Sequence, residues 1–501
     1  MTGVRLTVIA LLAGLVLVGC GSSTPTAASP APLAPPHSLA YLELTVRPQG
    51  ADRDAVESAL TKLIGHSPDG ALQGAASKLL AHAGLSYKDD VEPWLGQKIG
   101  IVVTHLSLTG VGVILPTDDP SAALHALRKL GGGHLTPASH AGVHFETATV
   151  QGDPVALGIV GQNAVIAAPS VFREIIDAYH GNSLTKTTEF ASAFASLPSN
   201  SLVKGYVNAA LLGSELRGLF GSTSSAMMGS LPLRQVLGAA LGKLRGAFGI
   251  ALSATPHSLA IDVHSTVAHR GASADVRGLP GQSWLAVASR FNPRRIIPLV
   301  SAFAQNPLFA VTLSHIREHL GIDLIHDVLP ALGPFELSAQ GTTALTAGAG
   351  LVVKPTDPAA AERLLAAIRR LAARSSSLVV QGTKRSFSIT KAGLPIPRVV
   401  VVQTPRHVVV TLDESVSNVL SPSSHLATNP RFTAALAQVP AGSHVPLFLD
   451  FRGLSELLGG LPNFSGSSGN EKILTFVQRL DYLIVGSNPA DGQARVVLGL
   501  R

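Results

Sequence analysis

The sequence predicts an α+β protein built as two tandem homologous repeats, each a mostly antiparallel sheet packed with helices. The first observation is a motif that occurs twice, at residues 84–96 and 321–333, with Gly, Asp, Val, Pro and a closing Gly at a shared offset of 237 residues. The second is that the elements around both copies follow the same order. The third is that strand-like runs mostly follow one another directly along the chain, which favours antiparallel pairing.

The amino terminus has the pattern of a lipoprotein signal peptide over residues 1–19. One positive charge, Arg5, precedes an apolar run at residues 6–17 that is too short to span a bilayer comfortably. The run ends in a Leu-Val-Gly-Cys lipobox that closes at Cys20, the only cysteine of the chain. We therefore expect lipidation of Cys20 with palmitate-type acyl chains, because two chains on one residue anchor stably. The alternative is an ordinary signal peptide with an incidental cysteine.

Residues 20–36 have the composition of a tether. They are mostly Ser, Thr, Ala and Pro and carry no charge, so they are expected to stay extended and to hold the folded part off the headgroups. No later run is long and uninterrupted enough to span a membrane; the nearest, 298–313, is split by Asn306-Pro307. We expect a lipid-anchored protein at the extracytoplasmic face of the cell membrane.

The composition indicates two domains with large cores. Hydrophobic residues make up 46% of the chain and charged residues only 14%, which large cores explain and to which an apolar ligand cavity would add. Acylation of Cys20 leaves no thiol for a disulfide. The net charge of +7 has no long basic block behind it, so nucleic acid is not an expected partner, while weak attraction to anionic headgroups is compatible.

The first repeat is assigned to residues 37–267. It opens with a strand at 38–47, a helix at 54–64 and a second helix at 71–83 that leads into the motif. A later helix begins at Asp119-Pro120, where Asp caps the first turn and Pro loses no bond. The other predicted elements are strands at 98–106 and 110–115, strand-like runs near 143, 155 and 164, helices at 171–179, 190–197 and 233–244, a strand at 201–207 and a closing hairpin at 247–263.

The second repeat is assigned to residues 281–501, after a linker at 268–280. It opens with a strand at 283–289, and Asp357-Pro358 again begins a helix. Its other predicted elements are helices at 294–305 and 310–320 and a hairpin at 482–500. The residues that match between repeats are Phe190 with Phe432, Pro198 with Pro440 and Asn208 with Asp450.

Three stretches resemble the bacterial domain-of-unknown-function family 3352 over most of residues 37–500. They are the Ala-Tyr-Leu-Glu-Leu opening strand, the Gly-Leu-x-Tyr-x-x-Asp-Val-x-Pro-Trp-Leu-Gly motif with the Ile-Gly-Ile-Val-Val strand after it, and the Asp-Pro-x-x-Ala-x-x-x-Leu helix start. The resemblance implies a secreted or membrane-attached protein without an established activity, and it supplies no functional residues. The second copy departs from the pattern, with Ala331 in place of Trp94.

One motif has the form of a metal site. His315, Glu318 and His319 make a His-x-x-Glu-His run, as in inverted zinc proteases. The first repeat keeps only His82 of the three, and no downstream glutamate ligand is evident. We therefore expect an exposed charged helix face and assign no catalytic residue, metal or cofactor. Trp94 is a binding anchor or, as we expect, a buried packing residue.

These observations predict a non-enzymatic lipoprotein that binds a partner or acts as a scaffold at the outer face of the cytoplasmic membrane. The alternative is a carrier or binding protein for a lipid or other apolar ligand. Its cavity is expected at residues 211–251 or 298–313, where helices carry few charges and Met227-Met228 would suit an adaptable lining. Leu216 and Leu219 are the lining residues to test. An enzyme is the least expected class, and fold alone decides none of these.

Overall fold

The structure is a computed structural model. It describes residues 28–65, 84–132, 134–150, 152–222, 242, 244–268, 273–304, 307–343, 345–391, 398–461 and 468–501. The chain divides into two compact units. The first contains the described residues up to Gly218 and those of Gly242–Ala268. The second contains the described residues of Leu219–Leu241 and those from 273 to the last residue.

The described strands of the first unit pair antiparallel throughout. Along the sheet their order is β4-β5-β6-β7-β3-β2-β1-β8-β9-β10. They are β1 (Ala40–Thr45), β2 (Lys98–Val103), β3 (Val111–Pro116), β4 (Thr136–His140), β5 (Val143–Val150), β6 (Asp153–Val160), β7 (Asn163–Ala167), β8 (Val203–Asn208), β9 (Ala247–Thr255) and β10 (Ser258–Ser265).

Helices connect these strands at the places where the sequence signals them. Asp119 accepts hydrogen bonds from the backbone N–H groups of Ser121 and Ala122 at 2.9 and 3.0 Å, so the predicted Asp-Pro cap is confirmed. The predicted helices at 71–83 and 233–244 lie largely outside the described residues. The helices are α1 (Gly50–Ile64), α2 (Pro120–Gly131), α3 (Pro169–Tyr179), α4 (Thr188–Ala195) and α5 (Ala209–Ser222).

Two cores cover the two faces of the first sheet. Because side chains alternate along a strand, Leu44 of β1 joins one core and Tyr41 joins the other. The first face, here the motif face, packs against α2 and the repeated motif. The second, here the strap face, packs against α3, α4 and residues 31–34.

The described strands of the second unit pair antiparallel in the order β14-β15-β16-β17-β13-β12-β11-β18-β19-β20. Counted from the first strand of each unit, this is the order of the first sheet. The strands are β11 (Ser283–Ser289), β12 (Phe335–Gln340), β13 (Gly348–Val353), β14 (Leu378–Gly382), β15 (Ser386–Lys391), β16 (Arg398–Gln403), β17 (Val408–Leu412), β18 (His444–Asp450), β19 (Leu480–Asn488) and β20 (Gln493–Leu500).

The second Asp-Pro signal also begins a helix. Asp357 accepts a hydrogen bond from the Ala359 N–H at 2.9 Å. The helix predicted at 294–305 is a 3-10 turn, Pro293–Arg295, followed by a separate helix. The helices are α6 (Ile297–Ala304), α7 (Pro307–Leu320), α8 (Pro358–Arg374), α9 (Val416–Leu420), α10 (Pro430–Leu436), α11 (Phe451–Gly459) and α12 (Ser468–Gln478).

The predicted α+β class is confirmed, since helices accompany a large antiparallel sheet. Among the described residues, no helix combines the length and apolar character that crossing a membrane requires.

Candidate functional site

Both copies of the repeated motif fold into the same short π-helical turn, at Tyr87–Val91 and at Leu324–Val328. In the first copy the Asp90 carboxylate accepts a hydrogen bond from the Ser86 N–H at 2.7 Å. In the second, Asp327 accepts one from the Asp323 N–H at 3.0 Å. The motif aspartate therefore closes its turn by satisfying a backbone donor that the turn leaves free.

A basic side chain from the following helix holds each motif aspartate. Lys129 of α2 contacts both oxygens of Asp90 at 2.9 and 2.8 Å, and Arg363 of α8 contacts Asp327 at 2.9 Å. The hydrogen bond from Lys129 is the largest cause that lowers the pKa of Asp90, and that from Arg363 does the same for the pKa of Asp327. These contacts fix a turn to a helix, so they assign the motif a structural role.

Trp94 is a packing residue, as expected. Its side chain is buried in the core of the motif face, and its Nε1–H donates to the Asp90 carbonyl at 2.5 Å. A buried indole whose one polar group has an internal acceptor offers no surface to a partner.

The His-x-x-Glu-His run lies on α7 with His315, Glu318 and His319 all exposed. The two imidazole ring centres are 6.0 Å apart. Within the described ranges no three His, Cys, Asp or Glu side chains come together as a metal site. Glu318 and His319 instead border a cleft of about 210 Å³ shared with Arg370 and Arg374 of α8.

Several predicted site residues cannot be placed. Cys20 and Met227-Met228 lie outside the described residues, as does the side chain of Leu219. Leu216 is half-buried on α5. Lipidation of Cys20 and the apolar carrier cavity thus stay predictions.

The residues just before β1 are folded, which corrects part of the predicted tether at 20–36. Residues 29–35, here the first strap, lie on the strap face of the sheet. Ala31–Leu33 forms a 3-10 turn, and Ala31, Leu33 and Ala34 are buried in the core of that face. The prediction was wrong because it considered the segment alone, where small side chains and proline rings bury little apolar area. In the folded unit the same side chains pack against a core that contains large aromatic residues.

An equivalent segment precedes β11, which corrects part of the predicted linker at 268–280. Three hydrogen bonds of the first strap have counterparts at residues 274–280, here the second strap. Within the straps, Ala34 N–H donates to Ala31 O and Leu279 N–H to Val276 O, both at 3.0 Å. From the neighbouring segment, Leu184 N–H donates to Ala34 O and Leu426 N–H to Leu279 O, both at 2.8 Å. At the end of each strap, Ser38 Oγ donates to Pro35 O and Ser283 Oγ to Pro280 O, both at 2.7 Å.

Aromatic side chains form the apolar half of the sheet surface beside the first strap, and they belong to the same core. The ring of Tyr41 on β1 lies 5.9 Å from that of Phe190 and 5.9 Å from that of Phe194, both on α4. Phe190 and Phe194 stack at 4.2 Å, and Tyr206 of β8 meets Phe190 edge-on at 5.2 Å. Such pairs hold the rings in fixed positions around Tyr41, and the Tyr41 ring and Pro30 of the strap both lie beside Gly100.

A charged cluster forms the polar half. Glu43 of β1 is 5% exposed and accepts hydrogen bonds from Lys98 Nζ at 2.9 Å and from the Tyr41 hydroxyl at 3.2 Å. The Ser29 hydroxyl of the first strap also donates to Glu43. Lys204 lies directly across from Glu43 in β8. One buried carboxylate therefore lies among two ammonium groups and two hydroxyls.

The titration properties of the cluster follow from its burial. Burial is the largest cause that lowers the pKa of Lys204, and nearby Lys98 lowers it further while Glu43 opposes both. Burial also raises the pKa of Tyr41 well above its ordinary value, with the Glu43 charge adding to the effect. The Tyr41 hydroxyl thus stays protonated and remains a donor to Glu43.

A glycine lets the first strap approach the sheet at this cluster. Gly100 of β2 lies directly across from Glu43. A Cβ at Gly100 would stand 2.8 Å from Cγ of Pro30 and 3.3 Å from the Tyr41 ring, so a larger residue would push the strap away. We call the surface formed by Glu43, Lys98, Gly100 and the aromatic rings the strap seat.

The corresponding place in the second unit is different. In the first unit, Gly112 of β3 lies across from Val102, which lies across from Tyr41. In the second unit, Gly350 of β13 lies across from Ser338, which lies across from Ala286. Both glycines lie close to a valine of the helix that follows the seventh strand of their unit, Val171 of α3 and Val419 of α9, so they mark equivalent positions. Glu43 then corresponds to Ala288 and Gly100 to Glu336.

A cleft of about 300 Å³ opens at this place in the second unit. It is bordered by Ala288 and Glu336 and by charged residues of the second strap and nearby strands, namely Asp275, Arg290, Lys354 and His407. The buried carboxylate of the first unit has no counterpart there. The fold can therefore be built without the charged cluster, which makes the strap seat the strongest candidate for a specific role.

Sequence reasoning missed the strap seat. A signal was present, because Glu43, Lys98 and Lys204 all lie within strand patterns that are otherwise apolar. Their proximity depends on β1 pairing with β2 and β8, which the sequence pattern does not reveal.

Comparison with known proteins decides the family. The family described as "Protein of unknown function (DUF3352)" matches residues 11–494. The chain belongs to the DUF3352 family. No curated protein matches this DUF3352 chain. Among solved structures, crystal form I of TP0453 is similar at 10% identity and a TM-score of 0.27, over 49% of this chain and 82% of that one. A likeness this remote carries no argument about fold or function.

Proposed function

We propose that this DUF3352 protein is a bacterial lipoprotein anchored through Cys20 at the outer face of the cytoplasmic membrane. Its molecular role is non-enzymatic: it binds a partner or acts as a scaffold. The lipobox supports the anchor, since the only cysteine of the chain lies at its end.

One observation carries the proposal. From nine residues after Cys20, the chain is already packed on the first unit through Ser29, Ala31 and Ala34. A folded body that begins this close to a lipidated residue is suited to work at the membrane surface. Its own strap seat is the surface in which charge and aromatic rings combine, as they do in peptide-binding grooves.

We also infer that the two units arose by duplication of one ten-stranded unit. The shared strand order, the motif turns with their aspartates and the matched straps support this inference. The differences at the strap seat then mark where the copies diverged after duplication.

The test of the anchor compares Cys20→Ser with a Ser23→Ala control in the full chain. The native chain and the control are expected to take up labelled fatty acid and to remain in the membrane fraction after carbonate washing. Cys20→Ser is expected to lose both properties. Acylation or membrane retention of Cys20→Ser would contradict the anchor.

The binding or scaffold role is tested on the same detergent-extracted protein. A protein partner cross-linked in cells is expected to copurify with the native chain in defined stoichiometry. Lipid extraction of the purified protein tests the alternative carrier role, and one bound lipid per chain with no protein partner would replace the scaffold by a carrier.

A further inference from the structure

The two straps are attached to their units with unequal strength. Each strap accepts one backbone hydrogen bond from the serine that follows it, Ser38 N–H to Pro35 O and Ser283 N–H to Pro280 O, both at 3.1 Å. Apart from these, one backbone hydrogen bond among the described residues joins the first strap to the rest of its unit, from the Leu184 N–H to the Ala34 carbonyl at 2.8 Å. Three join the second strap. They run from the Leu426 N–H to Leu279 O at 2.8 Å, from the Ala427 N–H to Arg277 O at 3.1 Å and from the Val276 N–H to Val445 O at 2.8 Å.

The matching donors of the first unit are used locally. The Ala31 N–H, at the position of Val276, donates to the Ser29 hydroxyl at 3.3 Å, and the Thr185 N–H, at the position of Ala427, donates to the Ser183 hydroxyl at 3.2 Å. Pro32 stands at the position of Arg277. The guanidinium of Arg277 also donates to the Ser443 carbonyl at 2.7 Å, a contact that Pro32 has no group to make. What the first strap has instead is the bond from the Ser29 hydroxyl to the buried carboxylate of Glu43.

We propose that residues 29–35 are a releasable clasp, a segment that can leave the strap seat while the rest of the first unit stays folded. The Ser29–Glu43 hydrogen bond, here the catch, holds the segment in place. The occupant is the chain's own proline-rich segment. Such a segment suits the seat because its prolines fix φ already in the free chain, so docking the Ala31–Leu33 turn costs less chain entropy.

The clasp sets the distance between the lipid anchor and the first unit, an inference that rests on the proposed anchor at Cys20. With the strap docked, the chain from residue 20 to residue 28 reaches at most about 28 Å. With the strap released, the free chain extends to His37 and reaches at most about 60 Å. Release therefore doubles the height to which the folded body can rise above the headgroups.

Hydrogen exchange tests the clasp independently of the anchor. The protein is the full chain carrying Cys20→Ser, which removes acylation. The Leu33 and Ala34 amides are expected to exchange faster than those of the second strap in the same molecule. Ser29→Ala is expected to accelerate them further, by roughly ten-fold or more, because a hydrogen bond to a buried carboxylate is lost. Ser29→Thr keeps a hydroxyl and is expected to restore slow exchange.

Amides of β6 report global opening and are expected to be unchanged by Ser29→Ala. The Leu33 and Ala34 amides could instead exchange at the same rate as those of β6, through global opening alone, in both the parent and Ser29→Ala. The strap would then be an integral part of the core, and the clasp would be refuted. Acceleration of the second strap by the same variant would also refute it, since the catch would not be local.

The distance is measured on acylated protein in vesicles of phosphatidylglycerol and phosphatidylethanolamine. A donor dye at Asn182→Cys, an exposed site beside the strap, transfers energy to an acceptor-labelled lipid. Ser29→Ala is expected to lower the transfer. Unchanged transfer despite faster strap exchange would refute the distance role. Failure of the acylated protein to bind vesicles would sink the anchor and leave the exchange result standing.

Discussion

Glu43 and Lys98 lie on neighbouring strands with their charged atoms 2.9 Å apart, and only 6% of the Glu43 side chain reaches solvent. At the corresponding place, the second unit has Ala288. Burying a carboxylate is costly unless every partner is present, and replacing such a pair by apolar residues is often neutral. The cluster therefore makes the first unit sensitive to single substitutions without being needed for the fold.

Glu43→Gln is expected to lower the free energy of unfolding of the first unit by about 2–3 kcal/mol, because Lys98 and Lys204 lose their counter-charge. Guanidinium titration measures this loss. The double variant Glu43→Ala/Lys98→Met is the matched control and is expected to recover more than half of it. A single variant as stable as the parent would show that the carboxylate carries no net interaction.

Asp90→Asn is expected to destabilise the first unit by up to about 1 kcal/mol at neutral pH, because the amide oxygen can still accept from the Ser86 N–H but the ion pair with Lys129 is lost. The pKa of Asp90 is lowered in the folded state, so the unfolded state binds its proton first as pH falls. The contribution is complete above the ordinary pKa of 3.8 and declines as pH falls through the folded value. Thermal unfolding of parent and variant should therefore converge in acid, and a difference that grew on acidification would contradict the ion pair with Lys129.

Gly350→Ala is expected to destabilise the second unit by about 1–3 kcal/mol. Its Cβ would stand 2.3 Å from Cγ2 of Val419 on α9, so the helix must move. Gly218→Ala on α5 is the control, since no atom lies within 4 Å of its Cβ, and there alanine is expected to stabilise by roughly 0.5–1 kcal/mol. Differential scanning calorimetry compares the two, and equal effects would mean that α9 does not pack as described.

Phe432→Ala is expected to cost about 3–5 kcal/mol, because a fully buried ring is removed from α10. Phe432 meets Phe448 edge-on at 5.1 Å, so Phe448→Ala should overlap with it rather than add. A double-mutant cycle measures the overlap. Strict additivity would indicate that the two rings do not share one core.

His315→Ala combined with His319→Ala is expected to leave the melting temperature within about 1 °C, because both imidazoles are exposed and away from the core. Zinc added at equimolar concentration is expected to change neither protein. A zinc-dependent rise in the melting temperature of the parent alone would reopen the metal reading of α7.

The fold was predictable from sequence where the signal is local. The caps at Asp119 and Asp357 and the shared motif depend on a few adjacent residues, and each lies where it was expected. The predictions failed where structure depends on distant partners. The 3-10 turn in the first strap packs in one core with α3, and its Ala31 carbonyl accepts a hydrogen bond from the Ser183 hydroxyl, 152 residues away. Composition describes such a segment only in isolation.

The same reason explains the missed site. In the sequence, Glu43 looks like an ordinary polar residue in a strand of alternating pattern, and so do Lys98 and Lys204. Only the pairing of Glu43 with Gly100 and Lys204 across three strands brings them into contact. Strand pairing between distant segments is what periodicity cannot supply.

One edge strand of each sheet, β4 in the first and β14 in the second, differs in whether it contains proline. β4 ends the first sheet and contains Pro137, whose ring interrupts the row of backbone donors along that edge. β14 ends the second sheet with Leu378 and Val379 more than a third exposed and with no proline. Edge-to-edge aggregation of the purified protein should therefore begin at β14, and Val379→Lys is the substitution that would keep concentrated samples monomeric.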